Sequence, residues 1–336
     1  MVLALAACPL FPAGAGEKVI LHVYAWSGFF APDVLAEFED RHDCIVALDA
    51  FDSNEAMLAS LDASDTAFDI ITPSSYMAKE MDRRGLLSPI DKTRIPNLAN
   101  IDAGFLALTG DPGMRYSVLY TRTVTGVGYN RRLLGDVEES WAIFRRDDLR
   151  GRLTMLDDMR ETMGAALKYL GYSINTKDQR QLEEAGTLLL EWRDNLAAFE
   201  VDEANLGLGA GDYLAVHGYN GDLAVLMEEN RDIGFFVPRE GSVVSTDAFV
   251  IPERAANREL AHTFINHILE PRVAAANMRE ILYFMPVPEA VALLDAELRA
   301  NPAFAVSEET LAKSEVIMDL GADTARYEEV WARIVP

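Results

Sequence analysis

Val19-Ile20-Leu21-His22-Val23-Tyr24-Ala25-Trp26-Ser27 is an apolar, β-branched run that closes on an aromatic and a hydroxyl residue. It reads as a buried strand. Ala31-Pro32-Asp33 then opens a helix, with Pro in the first turn and Val34, Leu35 and Phe38 at helical spacing. Cys44 to Phe51 gives a second strand, in which Cys44 is a small buried apolar residue. Asp52 or Ser53 caps a helix running to about Leu61, with Glu55 in the first turn, favoured by the helix dipole. Phe68 to Thr72 is a third strand, closed by Pro73-Ser74-Ser75. Strands alternating with helices in this way predict βαβ units and a mainly parallel sheet. Ligands in such α/β sheets lie beyond the carboxyl ends of the strands, where residues 24–29 and 73–76 fall.

The second half continues the alternation. Gly151 to Leu156 reads as a strand, and Asp157-Asp158 lead into a helix through Met163, Ala166, Leu167 and Leu170 that Gly171 stops. Gln181 to Trp192 is an amphipathic helix. Ala215-Val216, Ile233 to Pro238 and Ala248 to Ile251 are strand candidates, and Arg254 to Ile268 and Val273 to Met278 read as surface helices. With 336 residues the chain is too long for one compact core and fits two lobes around a cleft.

A net charge of −24, from 54 acidic against 30 basic residues, argues against a nucleic-acid partner, which needs a concentrated basic face. The same field concentrates cations near the surface. Of the two cysteines, Cys8 ends Leu5-Ala6-Ala7-Cys8, which resembles a lipobox whose cysteine carries a lipid. The apolar Met1-Val2-Leu3-Ala4-Leu5 before it is shorter than the roughly 15–30 residues of a signal peptide. Residues 9–17 read as a flexible tether. No other stretch approaches the ~18–20 apolar residues of a membrane span, so the expected membrane contact is a lipid on Cys8 alone.

Enzyme signatures are missing: G-x-S-x-G, P-loop, H-E-x-x-H and C-x-x-C do not occur. Gly207-Leu208-Gly209-Ala210-Gly211 lacks the preceding strand and the spacing of a dinucleotide loop, and reads as an ordinary loop. His262 and His267 are five apart, the wrong spacing for two metal ligands on one helical face, and His22 reads as a core histidine in its strand. No metal site and no cofactor are expected. The conspicuous set is aromatic, hydroxyl and carboxylate residues at element ends: Trp26-Ser27 after the first strand, Ser74 and Tyr76 after the third. Asp158 and Glu161 share a helix face, although a carboxylate at 157 or 158 equally suits an N-cap. Tyr219-Asn220-Gly221-Asp222 reads as a turn, and Asp247 precedes a buried strand.

From residue 18 onward the chain resembles the bacterial spermidine/putrescine-binding proteins of ABC transporters. The resemblance is carried by Tyr24-Ala25-Trp26-Ser27, Phe51-Asp52-Ser53-Asn54-Glu55, Phe68-Asp69-Ile70-Ile71-Thr72-Pro73-Ser74, Asp157-Asp158-Met159-Arg160-Glu161, Leu170-Gly171-Tyr172-Ser173-Ile174-Asn175-Thr176 and Thr246-Asp247. It implies an extracytoplasmic monomer of periplasmic-binding-protein type II fold, not an enzyme, that holds a polyamine between two βα lobes and delivers it to permease subunits. The implied lobes are 18–124 plus 246–294 and 125–245 plus 295–336, with the chain crossing near 125, 245 and 295. The implied ligand contacts are Trp26, Ser27, Phe29, Ser74 and Tyr76 from the first lobe and Asp158, Glu161 and Tyr219 from the second. Asp247 lies near a crossing, and Tyr283 adds an aromatic wall.

A polyamine is a flexible apolar rod bearing ammonium groups at fixed spacing. Each ammonium–carboxylate contact at 4 Å is worth on the order of 4 kcal/mol at an effective dielectric of ~20, before dehydration and torsional freezing reduce it. Aromatic faces add ~0.5–2 kcal/mol of cation–π attraction each. The chain departs from the family pattern at Gly28, where an acidic residue is common, at Ser245, often aromatic, at Ile317, often Gln, and at Phe29, often Tyr. These departures leave putrescine against spermidine open and suggest tolerance of a shorter or less charged amine. Another organic cation, or polyamine sensing in place of transport, fits the same pattern.

Overall fold

The computed structural model describes residues 18–51, 53–63, 67–106 and 109–335. Cys8 and the tether at 9–17 lie outside them. The βα alternation of the first quarter is present: β1 (Val19–Trp26), the helix Pro32–His42, β2 (Cys44–Phe51), the helix Asn54–Ala63, β3 (Ile70–Ile71) and the helix Ser75–Arg83. Ser53 caps the second helix, accepting the Ala56 N–H at 3.1 Å. Cys44 is buried as expected, whereas Val19 and Ile20 are exposed, because at its start β1 pairs with β2 alone and β3 does not flank it before Val23.

β4 (Ser117–Asn130) is a 14-residue strand, buried at almost every position, that the alternation does not predict. Its residues 117–124 pair with β9 (Val243–Val250), and from Thr125 onward it pairs with β7 (Ala215–Tyr219) and β8 (Ile233–Phe236). β5 (Leu153–Met155) and β6 (Leu196–Phe199) extend the second half, and β10 (Glu315–Val316) adds to β9. The strand order is β2-β1-β3-β9-β4-β7-β5-β6, with β8 on β4 and β10 on β9. The sheet is therefore mixed. Parallel pairs lie to either side, and the antiparallel pairs in the middle are those of β4 and β9, which run back between two βα halves.

The Gly207–Gly211 segment, expected as a loop, is the end of the helix Asp202–Ala210, stopped by Gly211 at φ +83°. Its glycines are there for close packing. A Cβ at Gly207 would fall 2.4 Å from the Tyr213 ring. Tyr219–Asp222 is likewise no turn but the junction of β7 with the helix Asn220–Glu229. The histidines are structural. His262 Nε2 accepts the Asp91 N–H at 3.0 Å, and the buried His267 ring lies 3.3 Å from the Val34 carbonyl. His22 is half-buried on the outer part of β1.

Candidate ligand-binding site

β1 delivers Trp26 to its carboxyl end, and the chain turns sharply there because Gly28 takes φ +70°. The turn leaves Ser27 exposed and returns Phe29 to the interior, where its carbonyl accepts the Tyr120 hydroxyl. A continuous aromatic wall results. The Trp26 ring lies 4.5 Å from Phe51 and 6.5 Å from Phe29, and Phe29 lies 5.5 Å from Tyr283.

The segment after β3 places Ser74 in an isolated β-bridge with Asp247. Asn54 holds this corner: its Oδ1 accepts the Ser74 N–H at 3.1 Å, and its Nδ2 donates to Ser74 Oγ at 3.2 Å and Tyr76 Oη at 3.0 Å. Ser74 Oγ then donates to Asp247 Oδ1 at 3.1 Å, and Thr121 Oγ1 donates to Asp247 Oδ2 at 2.9 Å. Asp247 is only 4 % exposed. Burial raises its carboxyl to about 6, against the opposing pull of Thr121 and Ser74. The Trp26 indole N–H faces the same carboxylate closely enough to favour its charged form, yet it is buried and outside hydrogen-bonding geometry with any acceptor. Ser74, expected to face an ammonium, thus spends its hydrogen on orienting Asp247.

The helix Met159–Tyr169 supplies the second acidic group. Asp158 is its N-cap, and its Oδ1 accepts the N–H groups of Arg160 at 2.9 Å and Glu161 at 3.1 Å. Its Oδ2 accepts the Tyr219 hydroxyl at 3.2 Å. Capping and site geometry are therefore one arrangement, and the two readings of this carboxylate do not compete. Glu161 is 3 % exposed, and its Oε2 accepts Thr125 Oγ1 at 2.8 Å. Burial first, and the Asp158 charge next, push it up to about 8. Arg160 does not neutralise the pair. Its guanidinium turns to the Met318 carbonyl at 3.1 Å and to Asn175 Oδ1 at 2.9 Å, over the Tyr327 ring. Among the described residues no ion pair involves Asp158, Glu161 or Asp247.

Two phenols complete the enclosure. Burial holds the hydroxyls of Tyr219 and Tyr283 well above their usual range, with Asp158 next in effect for Tyr219 and Asp222 for Tyr283. Tyr283 Oη donates to Asp222 Oδ1 at 2.7 Å, and its ring lies directly on Gly221. Tyr76 packs beside Ile174, Val243 and Ile317, so Ile317 presents hydrocarbon and cannot supply the hydrogen bonds of a glutamine. Nine of the ten expected residues converge, and Ser27 sits at the exposed rim. Asn54, Thr121, Thr125 and Asp222 were missed. The hydroxyls of Thr121, Thr123 and Thr125 inside a β-branched run were the available signal, and Asn54 lay in a stretch already singled out.

The model of the bacterial extracellular solute-binding protein family matches residues 33–306. The chain belongs to this family. It is 32% identical over 336 residues to a putrescine/cadaverine-binding protein of Pseudomonas aeruginosa, covering 96% of this chain and 94% of that one. It is 31% identical over 328 residues to the spermidine/putrescine-binding periplasmic protein of Escherichia coli, covering 96% and 93%. Among solved structures, a putative spermidine/putrescine ABC transporter protein of Listeria monocytogenes superposes with a TM-score of 0.88 at 32% identity, covering 94% of this chain and 99% of that one. The TpPotD lipoprotein of Treponema pallidum gives 0.87 at 33% identity, covering 94% and 99%. The fold of this solute-binding protein is thus the periplasmic-binding-protein type II fold, and the chain is not an enzyme. No helix of the described residues is long and apolar enough to cross a membrane.

Proposed function

We propose that this solute-binding protein captures a linear polyamine, putrescine or spermidine, in the seam between its two halves and delivers it to the permease subunits of an ABC importer. The observation that carries the reading is a set of three carboxylates, Asp158, Glu161 and Asp247, drawn together without a cation and walled by Trp26, Phe29, Tyr76, Tyr219 and Tyr283. A buried carboxyl ionises at little cost only when a cationic partner meets it. Aromatic faces between them suit the methylenes and ammonium groups of an extended amine. Relatives that bind putrescine, cadaverine and spermidine support the same class of ligand.

The lobes are 18–124 plus 246–294 and 125–245 plus 295–336. The change of β4's partners between Val124 and Thr125 supports the first limit. The ligand touches both lobes and favours their closed arrangement by differential affinity. The protein works as an extracytoplasmic monomer, held to the membrane by a lipid on Cys8. Titration calorimetry with putrescine, cadaverine, spermidine and spermine tests the reading. Heat from at least one of them is expected, and none from any of them overturns it.

A further inference from the structure

The carboxylates of the site differ in what surrounds them, and the difference has a consequence for capture. Asp247 is met by two hydroxyl donors, Ser74 and Thr121, and by the edge of the Trp26 indole. Asp158 is met by two backbone N–H groups and the Tyr219 hydroxyl. Both are supplied with the donors that an anion needs. Glu161 has one, the Thr125 hydroxyl, which also lies 3.2 Å from Ser242 Oγ. From its own helix it faces Asp158, and Arg160 engaged elsewhere; from β4, Thr125; from β9, Asp247; from β7, the un-ionised phenol of Tyr219. The charges nearest to it are therefore mostly of its own sign, and it is all but sealed from water.

We infer that the ligand-free site holds a proton on Glu161 and that capture of a polyamine expels this proton to solvent, so that binding is coupled to pH. This inference rests on the polyamine reading above and adds a regulatory property to it. A carboxyl in these surroundings is neutral when nothing compensates it, and ionises when a cation arrives within a few ångströms. The exchange balances. The O–H bond of Glu161 breaks, its proton passes to the buffer, and the carboxylate takes up an ammonium N–H in its place, Thr125 donating to it throughout. Titration of Glu161 near pH 8 sets the range. By linkage, affinity rises by up to about tenfold per pH unit between roughly pH 6 and 8 and levels off above. An acidified exterior would lower the loading of the protein and a neutral or alkaline one would raise it.

The test is calorimetric titration with putrescine and with spermidine at pH 7 in phosphate, HEPES and imidazole buffers, whose ionisation heats differ. The slope of observed heat against buffer ionisation heat should report about 0.9 proton released per ligand at pH 7, falling toward zero by pH 9. Glu161→Gln should bind more weakly with a slope near zero. A slope of zero for the unmodified protein, with binding intact, overturns the inference and leaves the polyamine reading standing. Carbon-13 NMR titration of the glutamate carboxyls in the ligand-free protein decides the same point if the variant misfolds or no amine binds. A glutamate carboxyl that titrates near pH 8 sustains the protonated site, and glutamate carboxyls that all titrate near their ordinary value overturn it.

Discussion

Ser74 and Asp247, 173 residues apart in sequence, form a β-bridge and share a side-chain hydrogen bond of 3.1 Å. The bond fixes a carboxylate from the strand that recrosses the sheet against the loop that closes the third strand. Asp247→Asn keeps the shape and removes the charge. Diamine affinity should fall by roughly 30-fold or more, since truncating one partner of a buried charge pair costs about 2–5 kcal/mol. The ligand-free protein should melt no lower than the parent, because the variant no longer buries a charge that no counter-cation meets. Ser74→Ala removes one neutral donor, worth about 1 kcal/mol, and should weaken binding only several-fold. Calorimetry and thermal melts of both variants check this. Equal affinity of parent and Asp247→Asn would mean that the carboxylate does not face the ligand.

The same corner marks what was legible in the sequence. β1, its helix and β2 were readable because each element carries its own period and its own stop signal. Asp158 and Glu161 were readable because capping and spacing confine them to one helix turn. β4 was not, for a physical reason. Thr121, Arg122, Thr123 and Thr125 are buried by partners far away in sequence, β9 beside the first three and β7 beside the last. A strand buried on both faces shows no alternation to read. Asn54 was hidden at a helix start beside the capping Ser53, and its side chain serves Ser74 and Tyr76.

The two raised carboxyls set how the ligand-free fold responds to pH. Glu161 titrates near 8 when folded against 4.5 in its reference state, and Asp247 near 6 against 3.8. Acids with raised folded pKa values bind more protons in the native state. Their stabilisation is complete below the unfolded values and is lost as pH rises through the folded ones. Between about pH 5 and 8 the ligand-free protein should lose on the order of several kcal/mol and melt several degrees lower. Glu161→Gln should flatten that slope. Melting curves in amine-free buffers supply the measurement, and a midpoint that rises steadily to pH 8 would sink the prediction.

Gly28 carries no side chain where the resemblance to the polyamine-binding family implies an acidic one, and its backbone conformation makes adding one costly. Its φ of +70° disfavours any side chain, although a Cβ there would meet nothing within 4 Å. Gly28→Asp should therefore cost about 1 kcal/mol of stability through strain alone, with aspartate better tolerated than a branched residue. The rim is solvent-exposed, so the gain in spermidine affinity should be no more than several-fold. Melts and parallel titrations with putrescine and spermidine separate the two effects. A gain confined to putrescine would place the rim charge next to the wrong end of the ligand.

Gly221 offers a way to move one wall of the site without replacing a polar residue. It is the second residue of the helix Asn220–Glu229, and a Cβ there would fall 2.4 to 2.6 Å from three carbons of the Tyr283 ring. The ring must shift, and its 2.7 Å bond to Asp222 goes with it. Replacing glycine within a helix contributes about 1 kcal/mol of favourable propensity, which offsets part of the strain, so Gly221→Ala should still fold. Its diamine affinity should drop at least roughly tenfold, the loss of one cation–π and methylene-packing face. Tyr283→Phe is the companion variant. It keeps the ring and loses only the Asp222 bond, so it should retain most of the affinity. If Gly221→Ala binds as the parent does while its melting point falls, Tyr283 packs the fold and lines no ligand. If both variants lose affinity alike, the hydroxyl that anchors the ring matters as much as its face.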